Sequence, residues 1–209
     1  MKFYDCSTAP SPRRVRIFAA EKGLKLDTVQ VDLGSGEQFS DAFREINPDC
    51  AVPVLELDDG TRLSEVFAIC QYLEELQPEP ALLGNSAVER AQVTMWNTKI
   101  EQQGLLPNAD AFRNTVKGMK GHAVTGPDSF AQIPELAARG RARVSLFLDK
   151  MNQHLADRAY VVGENFSLAD ITLLVVMDFT KWTKIPTPDD AEHLKRWYES
   201  VAGRASAAA

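Results

Sequence analysis

The sequence has few cysteines and histidines and no membrane-length apolar run. Its cysteines, Cys6, Cys50 and Cys70, form no CxxC pair, which indicates free thiols in a reducing compartment. The three histidines are scattered, so no metal site is predicted and surface or locally hydrogen-bonded side chains are the simplest interpretation. Because there is neither a spanning stretch nor an N-terminal secretory signal, we expect a cytoplasmic protein without a membrane partner.

Positive charge is also scarce. The 209 residues carry 23 Lys and Arg against 29 Asp and Glu, and the net charge is −6. This balance argues against an electrostatic nucleic-acid surface, so no nucleic-acid partner is predicted. Hydrophobic residues make up 44%, an ordinary globular proportion that supports a core in one or two small domains.

The first 78 residues alternate between strand and helix patterns. A strand at residues 2–4 precedes a helix expected to stop at Gly23, and a mixed strand pattern covers residues 26–33. A short helix near residues 37–46 comes before a hairpin that turns at Asp59-Gly60. The apolar spacing that follows, at residues 66, 69, 70, 73 and 76, predicts another helix. The predicted order is βαβαββα.

The rest of the chain reads as helical. Two prolines and a glycine in "QPEPALLGNS" indicate a linker, which we place at residues 79–86 between domains at 1–78 and 87–209. The stretch "FSLADITLLVVM" is apolar almost all round, which predicts a buried central helix that Ser167 and Asp170 begin as a capping box. The alanine-rich tail, residues 202–209, is expected to fray.

The stretch "CSTAPSP", residues 6–12, places a thiol and several hydroxyls in the turn from a strand into a helix. Proline is tolerated in the first helical turn, and a residue before proline avoids the α region, so we predict Ser11 as N-cap and Pro12 as the first helical residue. Free amides and the helix dipole make such a position suitable for an anion or an ionised thiol. Cys6 precedes the helix by too many residues for that place and is interpreted as a small residue ending a strand.

Four segments together resemble the cytosolic glutathione S-transferases over residues 1–200. They are "SPRRVRIFAAEKGL", "NPDCAVPVLELDDG", "LSEVFAICQYLEE" and "NFSLADITL". The resemblance implies an α/β plus all-α fold, in which a thioredoxin-like domain is joined to a helical bundle, and a homodimer. It also implies a detoxification-type activity in which glutathione is the co-substrate, no metal is needed, and the glutathione thiolate attacks a hydrophobic electrophile.

The resemblance places the thiol-activating group at the start of the first helix. Counting back from "RRVRIF", Ala9 stands where several classes carry Ser or Cys, and Ser11 stands where some carry Asn. Ser11 is therefore the first candidate catalytic residue, Thr8 the second and Ser7 the third. A plain N-cap, whose oxygen bonds only its own helix, is an equal alternative for Ser11.

The resemblance also places glutathione-binding groups at two later points. It implies a cis Val52–Pro53 peptide whose backbone faces the cysteinyl part of glutathione; the alternative is a trans proline opening an edge strand. It assigns Glu65 and the following helix start to the γ-glutamyl end, although Val66 replaces the usual hydroxyl and Cys50-Ala51 replaces a frequent Gly-Gln. Glu65 could equally serve only as a charge favourable to the helix N-terminus.

Two further questions stay open at this point. The electrophile pocket is expected between the domains, near Trp96, Phe112 and Trp182, although simple core packing is the safer interpretation of these aromatic residues. A transferase-shaped binding or interaction module without activity, or a glutathione-dependent thiol reductase using Cys50 or Cys6, is the competing function.

Overall fold

The computed structural model describes all residues, 1–209, and its N-terminal part has the predicted βαβαββα order. The short helix α2 follows a 3-10 turn at Glu37–Phe39. In chain order the elements are β1 (Lys2–Asp5), α1 (Pro10–Glu21), β2 (Asp27–Gln30), α2 (Asp41–Ile46), β3 (Val54–Glu56), β4 (Arg62–Ser64) and α3 (Val66–Leu76).

The four strands form one mixed sheet in the order β2-β1-β3-β4. Strand β1 runs parallel to β2 and antiparallel to β3, and β3 pairs with β4 as the predicted hairpin. Phe3 and Leu55 are completely buried neighbours on the central strands, whereas the edge strand β2 is exposed along its length. Because β1 and β3 are antiparallel, the end of β1 lies beside the start of β3, and the start of α1 and the 50–53 loop therefore meet at the same end of the sheet.

The C-terminal part is helical, as predicted. A π-helical turn at Glu101–Leu105 joins α4 to α5, and a 3-10 turn at Lys117–Met119 follows α5. Gly140 allows α6 to approach α5 closely, because a Cβ there would collide with the backbone of Pro107. The helices are α4 (Ala87–Ile100), α5 (Leu106–Arg113), α6 (Pro134–His154), α7 (Leu168–Thr183) and α8 (Glu192–Ala202).

Helix α7 is the buried centre of this helical part, and the predicted capping box is present at its start. The Asp170 carboxylate accepts hydrogen bonds from the backbone N–H and hydroxyl of Ser167, from the Val161 N–H and from Trp197 Nε1. Burial raises the pKa of Asp170 to about 6 in spite of these four donors. No helix is both long and apolar enough to cross a bilayer.

One apolar core runs through both parts, with α1 packed between α3 and α7. The side chain of Lys22 is fully buried and binds Glu74 at 2.6 Å. Its ammonium also donates to the carbonyls of Gln77 and Pro80 at 2.7 Å, which fixes the chain between the two parts. The exact domain limits at residues 78 and 87 stay a prediction.

The expectation of a frayed tail is wrong. After α8, residues Ala205–Ala208 form a 3-10 turn that lies on α1. Arg204 makes two hydrogen bonds to the Glu21 carboxylate, at 2.8 and 2.7 Å, and the Ser206 hydroxyl also donates to it. The alanine-rich composition concealed these anchors, because only Arg204 and Ser206 are polar in this segment.

Candidate functional site

Helix α1 begins two residues earlier than predicted. Ala9 is its N-cap in an extended conformation and Pro10 is its first residue, so Ser11 lies inside the first turn and the prediction of Ser11 as N-cap is wrong. The rule used for Ser11 before Pro12 applies equally to Ala9 before Pro10, and the structure follows the earlier pair.

The two prolines leave few free donors at this helix start. Pro10 and Pro12 have no N–H, and the Arg13 N–H bonds to the Ala9 carbonyl at 3.4 Å. The Ser11 N–H has no acceptor within the protein. The Ser11 hydroxyl oxygen accepts only a long contact, 3.5 Å, from Arg14 Nη2, so its own proton remains available. Ser11 therefore supplies both uncommitted donors of the first turn.

Ser11 lies where two clefts meet. The first cleft, about 550 Å³, lies between the β2–α2 loop and the segment after α5. The second cleft, about 400 Å³, lies between the start of α3 and the π-helical turn. Four residues line both clefts: Ser11, Ala51, Val52 and Thr125. A ligand that spans the two clefts would pass directly over Ser11 and Val52.

The loop before β3 presents Val52 to this junction. The Val52–Pro53 peptide is cis, as the resemblance implies, and neither the N–H nor the C=O of Val52 is hydrogen-bonded within the protein. The buried Asn47 holds the loop through its side chain and its backbone. Its side-chain Nδ2 donates to the Ala51 carbonyl at 2.8 Å, and its backbone carbonyl accepts from the Cys50 N–H at 3.0 Å. No sequence pattern marked Asn47 for this role.

Helix α3 begins at the second cleft. Glu65 is its N-cap, has a φ of 69° and makes no capping hydrogen bond through its exposed side chain. Val66 is buried but also lines the cleft. Because the first N–H groups of a helix lack intrahelical partners, this end offers donors and a positive dipole end to an anion.

Arg14 connects the helix start to the helical part. Its side chain is 6% exposed and forms an ion pair with Glu101 of the π-helical turn, and both residues line the second cleft. The Nε atom of Arg14 is buried without a hydrogen-bond partner. No sequence pattern marked Arg14, because its partner lies 87 residues away in the chain.

Two more buried polar atoms without partners lie on the first cleft. They are Gln38 Oε1 and His122 Nδ1. The His122 ring stacks on Phe39 with centroids 4.8 Å apart. His122 therefore departs from the expected surface or locally bonded histidine, whereas His154 fits it through a 2.9 Å contact with the Val161 carbonyl. No sequence signal marked His122, since the loop that carries it has no regular pattern.

The other candidates lie apart from the junction. Thr8 is exposed and lines a separate cavity of about 80 Å³ beside Trp182. Its hydroxyl is 3.4 Å from Cys6 Sγ. Ser7 is exposed and lines neither cleft. Cys50 is buried and lines the first cleft.

The aromatic candidates lie outside both clefts. The Trp96 and His154 rings pack with centroids 3.8 Å apart and planes tilted by 32°. Phe112 forms a cluster with Phe179 and Trp182. Trp96 and Phe112 pack against the core, as the simpler interpretation held, whereas Leu105 and Leu106 between them line the second cleft and Trp182 lines the small cavity beside Thr8. No group of three His, Cys, Asp or Glu side chains is arranged to hold a metal ion.

The fold and the site together define a two-domain protein with a ligand cleft at the first helix of a thioredoxin-like sheet. Residues 8–76 match the family "Glutathione S-transferase, N-terminal domain". Residues 107–205 match the family "Glutathione S-transferase, C-terminal domain". The chain belongs to the cytosolic glutathione S-transferase family, a class of glutathione-dependent transferases, as the resemblance indicated.

Individual relatives agree with this family. Glutathione S-transferase 2 of Saccharomyces cerevisiae is 34% identical over 209 residues, which cover 99% of this chain and 87% of the relative. A glutathione S-transferase domain-containing protein from Marinobacter aquaeolei has a TM-score of 0.91 at 35% identity, with 99% of each chain covered. The structure of Gtt2 from Saccharomyces cerevisiae also has a TM-score of 0.91, at 33% identity, and covers 99% of this chain and 98% of its own.

Proposed function

We propose that this chain conjugates glutathione to hydrophobic electrophiles, with the glutathione sulfur held at the junction of the two clefts. The observation that carries the proposal is the location of the unpartnered groups. All three buried side-chain polar atoms without a hydrogen-bond partner, on Arg14, Gln38 and His122, belong to residues that line these clefts. A buried polar group without a hydrogen-bond partner costs free energy. The concentration of such groups at one site therefore supports a polar ligand that forms the missing hydrogen bonds.

The two ends of the junction suit different parts of glutathione. The free N–H and C=O of Val52 match the amide groups on either side of a cysteinyl residue, in the manner of an added strand. The start of α3 provides amides and a dipole for the γ-glutamyl carboxylate. The carboxylates of Asp49, Glu65 and Glu101 on the same cleft favour the neighbouring ammonium group. Glutathione would then place its thiol over Ser11.

Ser11 is the proposed activating residue. A free thiol has a pKa near ~8.5, so only a few per cent is thiolate at neutral pH. A hydrogen bond to a charged group contributes roughly 1.5–3 kcal/mol, which corresponds to about one to two pKa units. The Ser11 hydroxyl and N–H, backed by the α1 dipole, therefore have the strength to make thiolate a major species. Thr8 remains the second candidate.

The proposed reaction with an aryl halide needs no metal. The thiolate sulfur attacks the halogen-bearing carbon, a carbon–sulfur bond forms, and the halide leaves with the electron pair of the broken bond. The thiol proton has already passed to solvent. The protein's contribution is to bind both reactants and to stabilise the sulfur anion before attack.

Retention on immobilised glutathione, followed by conjugation to chlorodinitrobenzene, tests this function. Binding together with turnover is the expected result, and binding without turnover would favour a non-catalytic binding module. Reduction of a glutathione mixed disulfide that disappears in Cys50→Ser, which lines the first cleft, would favour a thiol reductase. Cys70→Ser is the matched control, because Cys70 is fully buried in the core.

We also propose that the active form is a homodimer joined through the α3–α4 face. A groove of about 980 Å³ runs between these helices, lined in part by Phe67, Gln71 and Met95. Three apolar side chains on these two helices are exposed: Leu76 at 48%, Val88 at 70%, and Met95, which lines the groove, at 42%. Apolar side chains of this size beside an open groove support burial against a second copy.

A further inference from the structure

The wall of the first cleft that comes from the helical part contains one cation, Arg113, and no acid. Of the 20 residues lining this cleft none is Asp or Glu, although the chain has 29 acidic residues and a net charge of −6. Arg113 and His122 are the titratable side chains of that wall. Between Arg113 and Pro127 the sequence has Arg113, Lys117, Lys120 and His122 and no acid. The cleft is therefore a local positive region in an acidic protein.

The Arg113 guanidinium is positioned in this wall without a counter-charge. Its Nη1 donates to the His122 carbonyl at 3.0 Å and lies 3.9 Å from Met119 Sδ, and no carboxylate lies within salt-bridge distance. Its Nε and Nη2 donate to no group of the protein. Partial burial lowers the pKa of Arg113, so its charge is incompletely solvated and a bound anion would stabilise it.

We propose that the first cleft takes electrophiles that carry a carboxylate, which Arg113 binds through its free Nε and Nη2 groups. Adjacent guanidinium donors match the two oxygens of a carboxylate, a geometry that an ammonium group cannot reproduce. The stacked rings of Phe39 and His122 and the thioether of Met119 give the same cleft an apolar surface for an aromatic ring. This inference rests on the proposed function, because it names the class of substrate for that site.

The glycyl carboxylate of glutathione is the other anion that could occupy this wall. We assign the wall to the electrophile because the first cleft, about 550 Å³, has the size of a site for a whole small molecule rather than for one glycyl end. The other wall, from the β2–α2 loop, also offers the glycyl carboxylate an uncharged donor, the Nε2 amide group of Gln38.

A matched pair of substrates separates charge from shape. We would compare para-chloro-meta-nitrobenzoate with para-chloro-meta-nitrobenzamide in the wild type, Arg113→Met and Arg113→Lys. The preference is the ratio of kcat/KM for the benzoate to kcat/KM for the benzamide, and we expect the wild type to favour the benzoate. Arg113→Met should reduce this ratio by about 10-fold or more, as for the loss of one charge-assisted pair. Arg113→Lys should keep part of the preference. Arg139→Met, an exposed arginine outside both clefts, is the charge-matched control and should change nothing.

Binding measurements distinguish this inference from the proposed function. Calorimetric titration with meta-nitrobenzoate and meta-nitrobenzamide needs no turnover, and a benzoate preference that Arg113→Met removes would support the anion site even in an inactive protein. An unchanged ratio in Arg113→Met would overturn the inference. A weakened glutathione affinity together with an unchanged ratio would overturn it as well, since the anion would then be the glycyl carboxylate.

Discussion

At the residue scale, single side chains at the starts of α1 and α3 set which hydrogen-bond donors face the clefts. Pro10 and Pro12 remove two backbone donors from α1, and Ser11 provides those that remain. Ser11 was named from the family resemblance, whereas the local rule for the helix start placed it two residues out of position, and its catalytic role stays a prediction. Arg14 and His122 could not be selected from the sequence, because their importance comes from burial and from partners that lie far away in the chain or are absent.

Val66 offers a test of the γ-glutamyl end. We expect Val66→Ser to tighten glutathione binding by about 10-fold with little change in turnover at saturation, because the added hydroxyl would fill one acceptor site of the carboxylate, worth on the order of 1–3 kcal/mol. Val66 is 3% exposed, so the same change should also lower the free energy of unfolding by about 1–3 kcal/mol. Isothermal titration and denaturant unfolding measure the two effects separately.

Val66→Ala is the matched control for this test. It removes similar apolar volume without adding a hydroxyl, so it should destabilise the fold but leave glutathione affinity unchanged. If Val66→Ser binds glutathione no more tightly than Val66→Ala, the γ-glutamyl carboxylate lies elsewhere and the assignment of Glu65 and Val66 is wrong.

At the element scale, the C-terminal tail is held against α1, the helix that carries the site. Burial alone would raise the pKa of Glu21, but the hydrogen bonds from Arg204 and Ser206 hold it below its usual value of 4.5. A carboxyl whose pKa is lowered by folding contributes stability above its unfolded pKa and loses it as pH falls through the folded value. The Glu21 contribution should therefore be complete at neutral pH, begin to fall near pH 4.5 and disappear only below the lowered pKa of the folded state.

Glu21→Gln tests this anchor. We expect a loss of roughly 1.5–3 kcal/mol in unfolding free energy at pH 7, as for hydrogen bonds to a charged group, and a smaller difference from the wild type at acidic pH. Denaturant unfolding at several pH values measures it, with the exposed loop residue Glu164→Gln as control. A loss that persists unchanged at low pH would contradict the account of Glu21.

The elements themselves were largely predictable, for physical reasons. The hairpin was marked by its Asp59-Gly60 turn, and the almost entirely apolar sequence of α7 reflects its burial directly. The tail and the start of α1 were mispredicted, because an alanine-rich segment carries no periodic signal and two prolines offer two possible helix starts. Tertiary contacts to Glu21 hold the tail, whereas at the start of α1 the helix simply begins at the earlier of the two prolines.

At the scale of the whole molecule, the proposed dimer makes a direct prediction. Sedimentation at micromolar concentration should give about twice the chain mass of 23.1 kDa. Met95→Glu, which places a charge beside the α3–α4 groove, should shift the protein toward monomer, whereas Leu146→Glu, at a residue 61% exposed on α6, should not. A wild-type monomer at that concentration would contradict the dimer.

The central claim is that the start of α1 ionises the glutathione thiol, and the pKa of bound glutathione tests it most directly. Thiolate absorbance measured against pH should place that pKa about one to two units below the free value of ~8.5. In Ser11→Ala the pKa should rise by about one unit and turnover should fall about 10-fold, with a smaller change in glutathione affinity, while Thr8→Ala should resemble the wild type. A bound thiol that titrates near ~8.5 in the wild type, or one that Ser11→Ala leaves unchanged while Thr8→Ala raises it, would contradict the account.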